Sequence, residues 1–306
     1  MLNKINVFCM SVVLPTKNRP HDLVNALNSV SKQSRLPNEF VIVDQSADNQ
    51  SIQVVKNIMS QYKQIKLTYI HDPKISGLVD AKRVGVKHAS ADIVCFLEDD
   101  VVLETDYLNQ IELGFINNPN MIGCSGVITN PPKVIFLYKF FFVIFHQGIF
   151  KDKRIDVNEN YIGFGNMLIE SDMLSGGVSA WRREVFDIVE FDVINDFHMF
   201  EDIDFSTRVA RRYGNRLFIN PNARLAHYCS PINRDILDIR QRRKVRECFT
   251  YYKKRKDWPG AAISFYWLLL GMLLESIFQS FSSMSFKPIQ GYLLGLQDGS
   301  AKKIIS

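Results

Sequence analysis

Apolar positions along the first half of the chain follow two different periods. Short continuous runs, such as those at 7–16 and 39–46, are rich in β-branched residues and predict buried strands. Between them, apolar residues recur at spacings of three and four, as in the segment 19–34 with Pro20 at its start, and predict helices. The same reasoning predicts further strands at 65–72 and 92–100, and helices at 49–62, 76–90 and 106–118.

This alternation of strands and helices predicts an α/β fold, with a mostly parallel sheet flanked by helices on both faces. Ligands of such sheets bind beyond the carboxyl ends of the strands. Asp44 lies at the end of the second predicted strand, and Glu98, Asp99 and Asp100 lie at the end of the fourth. We therefore expect these four carboxylates at the ligand-binding edge.

The acidic triplet at 98–100 needs a positive partner or open solvent. Neighbouring carboxylates repel one another, and a desolvated carboxylate is costly unless it is paired or bound to a metal. Carboxylate oxygens suit hard cations, so the triplet is a candidate site for Mg²⁺ or Mn²⁺, with a solvated acidic turn as the alternative. Neither GxxxxGK[ST] nor GxGxxG follows the first predicted strand, which argues against a P-loop ATPase and a dinucleotide enzyme.

Composition predicts a folded cytoplasmic protein. The 306 residues are 46% hydrophobic and 23% charged, which suits a sizeable core. The segment 5–15 is too short for a signal peptide and runs directly into Pro15, so it reads as a strand. Five scattered cysteines without a CxxC pair favour reduced thiols: Cys9, Cys95, Cys124, Cys229 and Cys248.

The net charge of +5 is concentrated late in the chain. Residues 234–256 contain ten Lys and Arg against three Asp and Glu, and the aromatic-rich apolar stretch 258–281 follows. This order predicts a helical extension at a membrane surface, held by the basic residues and by burial of Phe265, Trp267, Leu268 and Leu269. The alternative is a basic helix and a core helix packed on the protein, or an oligomer interface.

Two further observations bear on the membrane interpretation. A second apolar run at 134–145 favours it, because two runs rich in aromatic residues are less easily explained as core. Lys139 and Glu275 interrupt the two runs, which argues against clean transmembrane spans of about twenty residues. No nucleic-acid recognition motif accompanies the basic segment, so we expect no nucleic-acid partner.

Several motifs, taken together and in order, carry a family resemblance. They are SVVLPTKNRP (11–20), VIVDQSADN (41–49), GLVDAKRVGVKHASADIVCFLEDD (77–100), GGVSAWRREVF (176–186) and FEDIDFSTRV (200–209). In this order they resemble the family 2 glycosyltransferases, which have the Rossmann-like GT-A fold. Two positions depart from the family pattern: Lys82-Arg83 stands where Arg-Asn is frequent, and Glu98 occupies the first position of the DXD motif.

The resemblance implies an inverting, metal-dependent transfer from a nucleotide-sugar donor to a saccharide or lipid-linked acceptor, in bacterial surface polysaccharide synthesis. It implies Asp202 as the catalytic base with Glu201 beside it, and Asp100 and His227 as ligands of Mg²⁺ or Mn²⁺. The implied donor-binding residues are Pro15, Thr16, Arg19, Asp44, Lys82, Glu98 and Asp99. The implied acceptor-binding residues are Gly176, Gly177 and Trp181.

Each of these roles has a plainer alternative. Acids such as Asp202 also suit the first turn of a solvated helix. His227 could be a packed residue, the glycine pair a tight turn, and Trp181 part of the core.

The resemblance also implies a catalytic domain over 1–230, with a nucleotide-sugar half at about 1–100 and an acceptor half at about 101–230. The extension at 231–306 would place the protein on the cytoplasmic face of the cell membrane, and a homo-oligomer is left open. A sugar-1-phosphate nucleotidyltransferase is an alternative, but LPTKNRPHD (14–22) lacks the glycine-rich loop expected there. A non-catalytic membrane-associated subunit is the other alternative.

Overall fold

The computed structural model describes residues 8–132, 136–232 and 235–304, and for residues 136–138 it describes the backbone alone. The chain forms two compact units. The first consists of Met1–Pro131, Lys153–Phe191 and Glu201–Ile232, and the second of Pro132–Asp152, Asp192–Phe200 and Asn233–Ser306. The predicted boundary near residue 230 lies beside the last of these divisions, and two earlier segments also belong to the second unit.

The first unit contains the strands and the helices that alternate with them. In chain order the strands are β1 (Met10–Thr16), β2 (Glu39–Asp44), β3 (Lys66–His71), β4 (Ile93–Phe96), β5 (Val101–Leu103), β6 (Gly123–Ile128), β7 (Ile169–Glu170), β8 (Ser179–Arg182) and β9 (Leu217–His227). The helices are α1 (Pro20–Ser31), α2 (Gln50–Met59), α3 (Gly77–His88), α4 (Tyr107–Asn117), α5 (Phe136–Phe145), α6 (Arg154–Asn160), α7 (Glu201–Tyr213), α8 (Leu237–Lys253), α9 (Ala261–Ser282) and α10 (Lys287–Ala301). Helices α5, α8, α9 and α10 belong to the second unit.

The strands of the described residues form one sheet in the order β3-β2-β1-β4-β8-β6-β9-β5, with β7 beside β9. The first four strands are parallel, as predicted. Beyond β4 the sheet is mixed, because β8 runs antiparallel to both β4 and β6, whereas β6 and β9 are parallel. The predicted α/β fold is therefore confirmed, and the second half of the sheet adds antiparallel pairs that the strand–helix alternation did not predict.

The sheet topology brings distant acidic residues to one edge. Strands β1, β2 and β4 are parallel neighbours, so Thr16, Asp44 and the residues that follow Phe96 end on the same side. Strand β5 pairs antiparallel with β9, with Val101 opposite His227. A histidine 127 positions later in the chain than Asp100 is therefore carried to the end of the acidic triplet.

The opposite ends of the first strands are held together by one buried carboxylate. Glu39 accepts hydrogen bonds from the Ser11 hydroxyl at 2.6 Å and from the Ser90 hydroxyl at 2.6 Å and amide at 2.7 Å, and it pairs with Lys66 at 2.9 Å. Burial acts to raise the pKa of Glu39, but these partners outweigh it and lower the pKa to about 2. Glu39 is therefore a charged tie between β1, β2 and the loop before β4.

The second unit shows where the basic segment goes. Several basic side chains of this segment form ion pairs inside the unit: Arg242–Asp298 (2.6 Å), Arg243–Asp235 (2.7 Å), Lys244–Glu275 (2.6 Å), Arg246–Asp196 (2.9 Å) and Lys254–Asp192 (2.6 Å). Arg234 lies outside the described residues. Internal ion pairs therefore engage part of the basic segment, and its attachment to a membrane surface stays a prediction.

Helix α9 corrects the predicted insertion of four apolar side chains into a membrane. Phe265, Leu268 and Leu269 are buried within the unit, whereas Trp267 is 41% exposed. The apolar residues predicted to enter a membrane are thus mostly core, because α9 turns that face toward its own unit. Among the described residues, α9 is the one helix that is long and apolar enough to cross a membrane by length and composition. In its most apolar stretch of 18 residues, 44% of the residues are buried.

Candidate active site

The acidic triplet points in two directions. Glu98 and Asp100 both face His227, whose Nε2 lies 3.2 Å from Glu98 Oε2 and 3.1 Å from Asp100 Oδ1. Asp99 lies between them in the sequence and is engaged by residues that follow β1. The repulsion expected of three adjacent carboxylates is therefore relieved by separating the middle one from the other two.

Asp100 is held as a carboxylate anion. Burial acts to raise its pKa, but the hydrogen bond with His227, the Ser230 amide at 2.8 Å and the charge of Arg19 outweigh burial and lower the pKa to about 2. Arg19 Nη1 lies 3.7 Å from Asp100 Oδ2. Asp100 therefore stays charged at neutral pH in a mostly buried position, as a metal ligand must be.

Asp99 belongs to the support of the site. Its two oxygens accept hydrogen bonds from the Thr16 hydroxyl at 2.7 Å and from Arg19 Nη1 at 3.0 Å. Burial raises the pKa of Asp99 to about 6, with Arg19 and Thr16 acting against the shift. Thr16 and Arg19, both predicted as donor-binding residues, thus contact the acidic loop itself, and Asp99 does not join Glu98 and Asp100 at His227.

The glycine pair lies against both parts of the site. A Cβ on Gly177 would come within 3.0 Å of the Glu98 side chain, and the Glu98 amide donates to the Gly177 carbonyl at 2.9 Å. A Cβ on Gly176 would come within 3.0 Å of Glu201, Asp202 and the Lys82 ammonium. Neither position leaves room for a side chain, so the pair brings the backbone into direct contact with the acidic residues.

Lys82 and Glu201 form a buried ion pair. The Lys82 ammonium lies 2.5 Å from Glu201 Oε1, the lysine is only 1% exposed, and its charge lies 5.6 Å from the Phe96 ring centre. Burial raises the pKa of Glu201, Lys82 acts to lower it, and the nearby charge of Asp202 raises it further. The predicted point charge for a donor phosphate is therefore already neutralised by Glu201, and a donor contact by Lys82 stays a prediction.

Asp202 is the more accessible carboxylate of the adjacent pair. Its side chain is 20% exposed, and it accepts hydrogen bonds from Arg154 at 2.5 Å and from the backbone amides of Gly176 at 3.3 Å and Ile203 at 2.7 Å. Asp202 lies in the first turn of α7, where the helix dipole favours an anion. The carboxylate is thus fixed in orientation while part of it faces solvent.

The remaining predicted residues lie deeper in the protein. Asp44 is fully buried and accepts hydrogen bonds from the Tyr69 hydroxyl and the Ser46 amide. Pro15 is in the buried strand β1. Trp181 is 2% exposed and donates to the Ser179 hydroxyl at 2.9 Å.

Trp181 therefore follows the core alternative. Its ring packs edge-on against Phe205, with the ring centres 5.0 Å apart. It cannot offer a free ring face to a sugar, because that face is covered by the protein core.

Three contacts of the site were not found from the sequence. The hydrogen bond from the Tyr69 hydroxyl to Asp44 follows from the parallel register of β2 and β3, which an alignment of the two strands could have suggested. The Ser230 amide on Asp100 follows from the turn after β9. The hydrogen bond from Arg154 to Asp202 has no local sequence signal, because Arg154 belongs to a segment 48 residues earlier that folding brings next to α7.

The donor atoms present fit a divalent cation. Glu98, Asp100 and His227 each offer one ligand atom, and these atoms lie within 4.8 Å of one another. Two carboxylates and an imidazole suit a divalent metal that accepts oxygen and nitrogen ligands, and carboxylates favour Mg²⁺ and Mn²⁺. The described part of the chain thus has the charge and the spacing for one ion at the carboxyl ends of the strands.

Comparison with solved structures defines the class of fold. The structure matches a mannosyltransferase from Pyrobaculum calidifontis, solved in complex with GDP-Man and Mn²⁺, with a TM-score of 0.59 and 15% identity over 97% of this chain and 76% of that one. At this identity the match shows the fold alone, which is the GT-A fold of glycosyltransferases.

Sequence comparison defines the family. The model of glycosyl transferase family 2 matches residues 11–187, which is more than half of the chain. The chain therefore belongs to glycosyltransferase family 2, and the resemblance noted in the motifs is confirmed.

Two relatives illustrate the range of the match. An uncharacterized glycosyltransferase from Bacillus subtilis, YwdF, is 26% identical over 206 residues, which cover 67% of this chain and 69% of that protein. The Escherichia coli UDP-Glc:alpha-D-GlcNAc-diphosphoundecaprenol beta-1,3-glucosyltransferase WfgD is 27% identical over 126 residues, which cover 40% of this chain and 48% of that protein. The chain spans about half or less of the length of most curated relatives that it matches.

Proposed function

We propose that this chain transfers a sugar from a nucleotide-sugar donor to a saccharide or lipid-linked acceptor, with inversion at the anomeric carbon and with Mg²⁺ or Mn²⁺ bound. The proposal also places the protein in surface polysaccharide synthesis, on the cytoplasmic face of the cell membrane. Family membership supports sugar transfer, and the site geometry supports the particular roles of the residues.

One observation carries the proposal: Gly176 and Gly177 join a candidate metal site to a candidate base. Gly177 packs on Glu98, which faces Asp100 and His227. Gly176 packs on Asp202 and its amide donates to that carboxylate. Transfer from a sugar diphosphate needs a counter-charge for the leaving group and a base for the attacking hydroxyl, and here the two lie on either side of one dipeptide.

The donor would bind at the carboxyl ends of β1, β2 and β4. Asp44 would meet the nucleobase, beside the loop that carries Thr16 and Arg19, and Pro15 would shape the end of β1. Arg19 already contacts both aspartates of the acidic loop. A divalent cation held by Glu98, Asp100 and His227 would supply positive charge for the diphosphate leaving group.

Asp202 is the proposed base. It would take the proton of the acceptor hydroxyl as the hydroxyl oxygen attacks the anomeric carbon, and the bond from that carbon to the diphosphate oxygen would break on the opposite side. Glu201 would act differently, by holding Lys82, because the ion pair and burial occupy its carboxylate. A single base and a direct displacement give inversion.

The named relatives support the finer parts of the proposal. The Pyrobaculum protein was solved with a nucleotide sugar and Mn²⁺, which favours the same pairing here. The Escherichia coli glucosyltransferase is named for a diphosphoundecaprenol acceptor, which favours a lipid-linked acceptor and a place at the membrane.

The test replaces Asp202 by Asn, which is nearly isosteric and cannot take the proton. We expect donor affinity to stay within about two-fold while transfer falls at least about 100-fold, the low end of what a general base contributes. The matched control is Asp187→Asn, on an aspartate whose side chain is 68% exposed. Sugar transfer and calorimetric donor binding are measured on the same preparations.

Two outcomes would count against the proposal. A fall in transfer of less than ten-fold in Asp202→Asn would move the base to Glu201 or Asp204. If the wild-type chain neither transferred nor hydrolysed any tested sugar nucleotide in the presence of Mn²⁺ or Mg²⁺, the proposed sugar transfer would be contradicted.

A further inference from the structure

Helix α9 presents a continuous apolar face to solvent. Seven large apolar side chains are more than a third exposed, at helical spacings of one, three and four residues: Ile263, Tyr266, Trp267, Leu270, Leu274, Phe278 and Phe281. We call these seven residues the α9 stripe. A helix that faced only water would carry polar residues at these positions, so a stripe of this length indicates an apolar partner.

A cavity opens beside the stripe, between α5 and α9. Its volume is about 780 Å³, including the part open to solvent. The walls are mostly aromatic and aliphatic, and Phe278 belongs both to the wall and to the stripe. The two helices are joined at one end by the Trp267 indole, which donates to the Ile144 carbonyl at 2.7 Å and packs on Phe145.

The cavity wall combines apolar and polar side chains. On α9, Leu268, Gly271, Met272 and Phe278 line it together with Glu275 and Gln279. Gly271 has no room for a Cβ because Phe145 lies within 3.0 Å of that position, so the missing side chain brings α5 close to α9 there.

The polar side chains of the cavity wall are together electrically neutral. Lys244 and Glu275 pair there at 2.6 Å. His146 also lines the cavity, and burial, together with the charge of Lys244, lowers its pKa to about 4, so the imidazole is neutral near pH 7. The cavity therefore suits an uncharged apolar chain rather than a free ion.

The charge of the second unit distinguishes between the two apolar partners that could cover the stripe. Its described residues contain 14 Lys and Arg against nine Asp and Glu. A net positive unit is attracted to an anionic lipid surface and is repelled by a second copy of itself. Tyr266 and Trp267 are moreover the residue types that are enriched where a membrane meets water.

We propose that the α9 stripe lies on a bilayer that contains anionic phospholipid, and that one acyl chain of that phospholipid enters the α5–α9 cavity. This inference extends the proposed membrane location to a particular surface and a particular ligand. It is independent of the sugar-transfer chemistry, because none of its residues belongs to the candidate active site.

The first experiment tests the stripe with the full chain. Flotation is measured with vesicles of phosphatidylcholine, with and without phosphatidylglycerol, for the wild type and for the double variant Ile263→Ser, Phe281→Ser. These two side chains are 79% and 80% exposed, so the fold should tolerate the change. We expect vesicle binding to fall about ten-fold or more, from the lost burial of two large apolar groups. The matched control is Ile162→Ser, at a 75% exposed isoleucine of the first unit, and it should float like the wild type.

The second experiment tests the cavity separately. Phe141 is a half-buried wall residue, and Phe141→Trp adds a ring where the cavity offers space. Native mass spectrometry of detergent-extracted protein should show one phospholipid on the wild type and a loss of about ten-fold or more in that fraction for the variant. Flotation of Phe141→Trp should stay close to that of the wild type, because the stripe is intact.

The outcomes separate the parts of the proposal. Equal flotation of the wild type and the double variant would overturn the stripe. An unchanged lipid fraction in Phe141→Trp would overturn the cavity. A wild-type dimer in solution that becomes a monomer in the double variant, with no vesicle binding by either, would show that a second copy covers the stripe. Sugar transfer to a soluble acceptor is expected to continue in all three variants, so failure here would leave the proposed activity unaffected.

Discussion

Gly177→Ala is the most specific structural perturbation of the candidate metal site. The added Cβ would come within 3.0 Å of the Glu98 side chain. Glu98 must then retreat by about 1 Å or more to restore ordinary van der Waals contact. That movement draws Glu98 Oε2 away from His227, which lies 3.2 Å from it. The backbone of Gly177 is outside the left-handed region, so alanine adds no conformational strain of its own.

The expected effect falls on metal binding more than on stability. Loss of one of three ligand groups should weaken Mn²⁺ affinity at least about ten-fold, or about 1.4 kcal/mol. Glu98 has a side chain that is 32% exposed, so it can move toward solvent, and we expect the free energy of unfolding to change by less than about 1 kcal/mol.

The assay is calorimetric titration of Mn²⁺, with thermal unfolding measured in parallel. The control is Gly163→Ala, at a glycine where an added Cβ meets open space. Equal Mn²⁺ affinity in Gly177→Ala, Gly163→Ala and the wild type would show that Glu98 is not a ligand or that its position is not set by Gly177.

Two further predictions concern stability. Lys82→Met should lower the free energy of unfolding by about 3–5 kcal/mol, because it leaves Glu201 buried without its partner. The double variant Lys82→Met, Glu201→Leu should recover most of that loss. Urea unfolding of the wild type and both variants measures these changes, and no recovery in the double variant would contradict the prediction. Glu39 has a pKa lowered from 4.5 to about 2, so its charge contributes up to about 3 kcal/mol above pH 4.5, and this contribution is lost as the pH falls toward 2. The stability difference between the wild type and Glu39→Gln should therefore shrink between pH 7 and pH 3, and a constant difference would contradict the assignment.

The first half of the fold was predictable from the sequence because each element there has a strong local pattern. Strands β1, β2 and β4 are continuous apolar runs that end in polar residues, and α1 and α3 have helical spacing. The parallel order of these strands then follows from general rules of α/β connection. The position of the short strand β8 between β4 and β6 has no such local signal, since it depends on which strand edges are unpaired in the folded sheet.

The candidate site was predicted as a set of residues and less well as a geometry. The structure brings together residues from three distant parts of the sequence. Asp100 and His227 lie where β5 pairs with β9, and Asp202 lies in the first turn of α7. The alternation that turns Asp99 away from Glu98, and the pairing of Lys82 with Glu201, depend on backbone direction at the end of β4 and on long-range packing. Sequence spacing alone carries neither kind of information.

The late segment shows a limit of residue type as a guide. Composition does not say which basic and apolar side chains of this segment are free to face a lipid surface. In the structure several basic side chains are paired, as Lys244 is with Glu275, and the face of α9 that carries Phe265 and Leu268 is core. Helical phase, rather than composition, decides which residues are left for a membrane.

Metal-dependent binding of a nucleoside diphosphate is the direct test of the candidate metal site. Calorimetry with UDP, GDP and dTDP, each with and without Mn²⁺, is carried out on the wild type and on Asp100→Asn. The asparagine can still accept the Ser230 amide hydrogen bond, so the fold should be retained while the ligand charge is lost. We expect the wild type to bind at least one diphosphate in a Mn²⁺-dependent way and Asp100→Asn to lose this dependence. Equal Mn²⁺-dependent affinity in the two proteins would contradict the assignment of Glu98, Asp100 and His227 as the metal site.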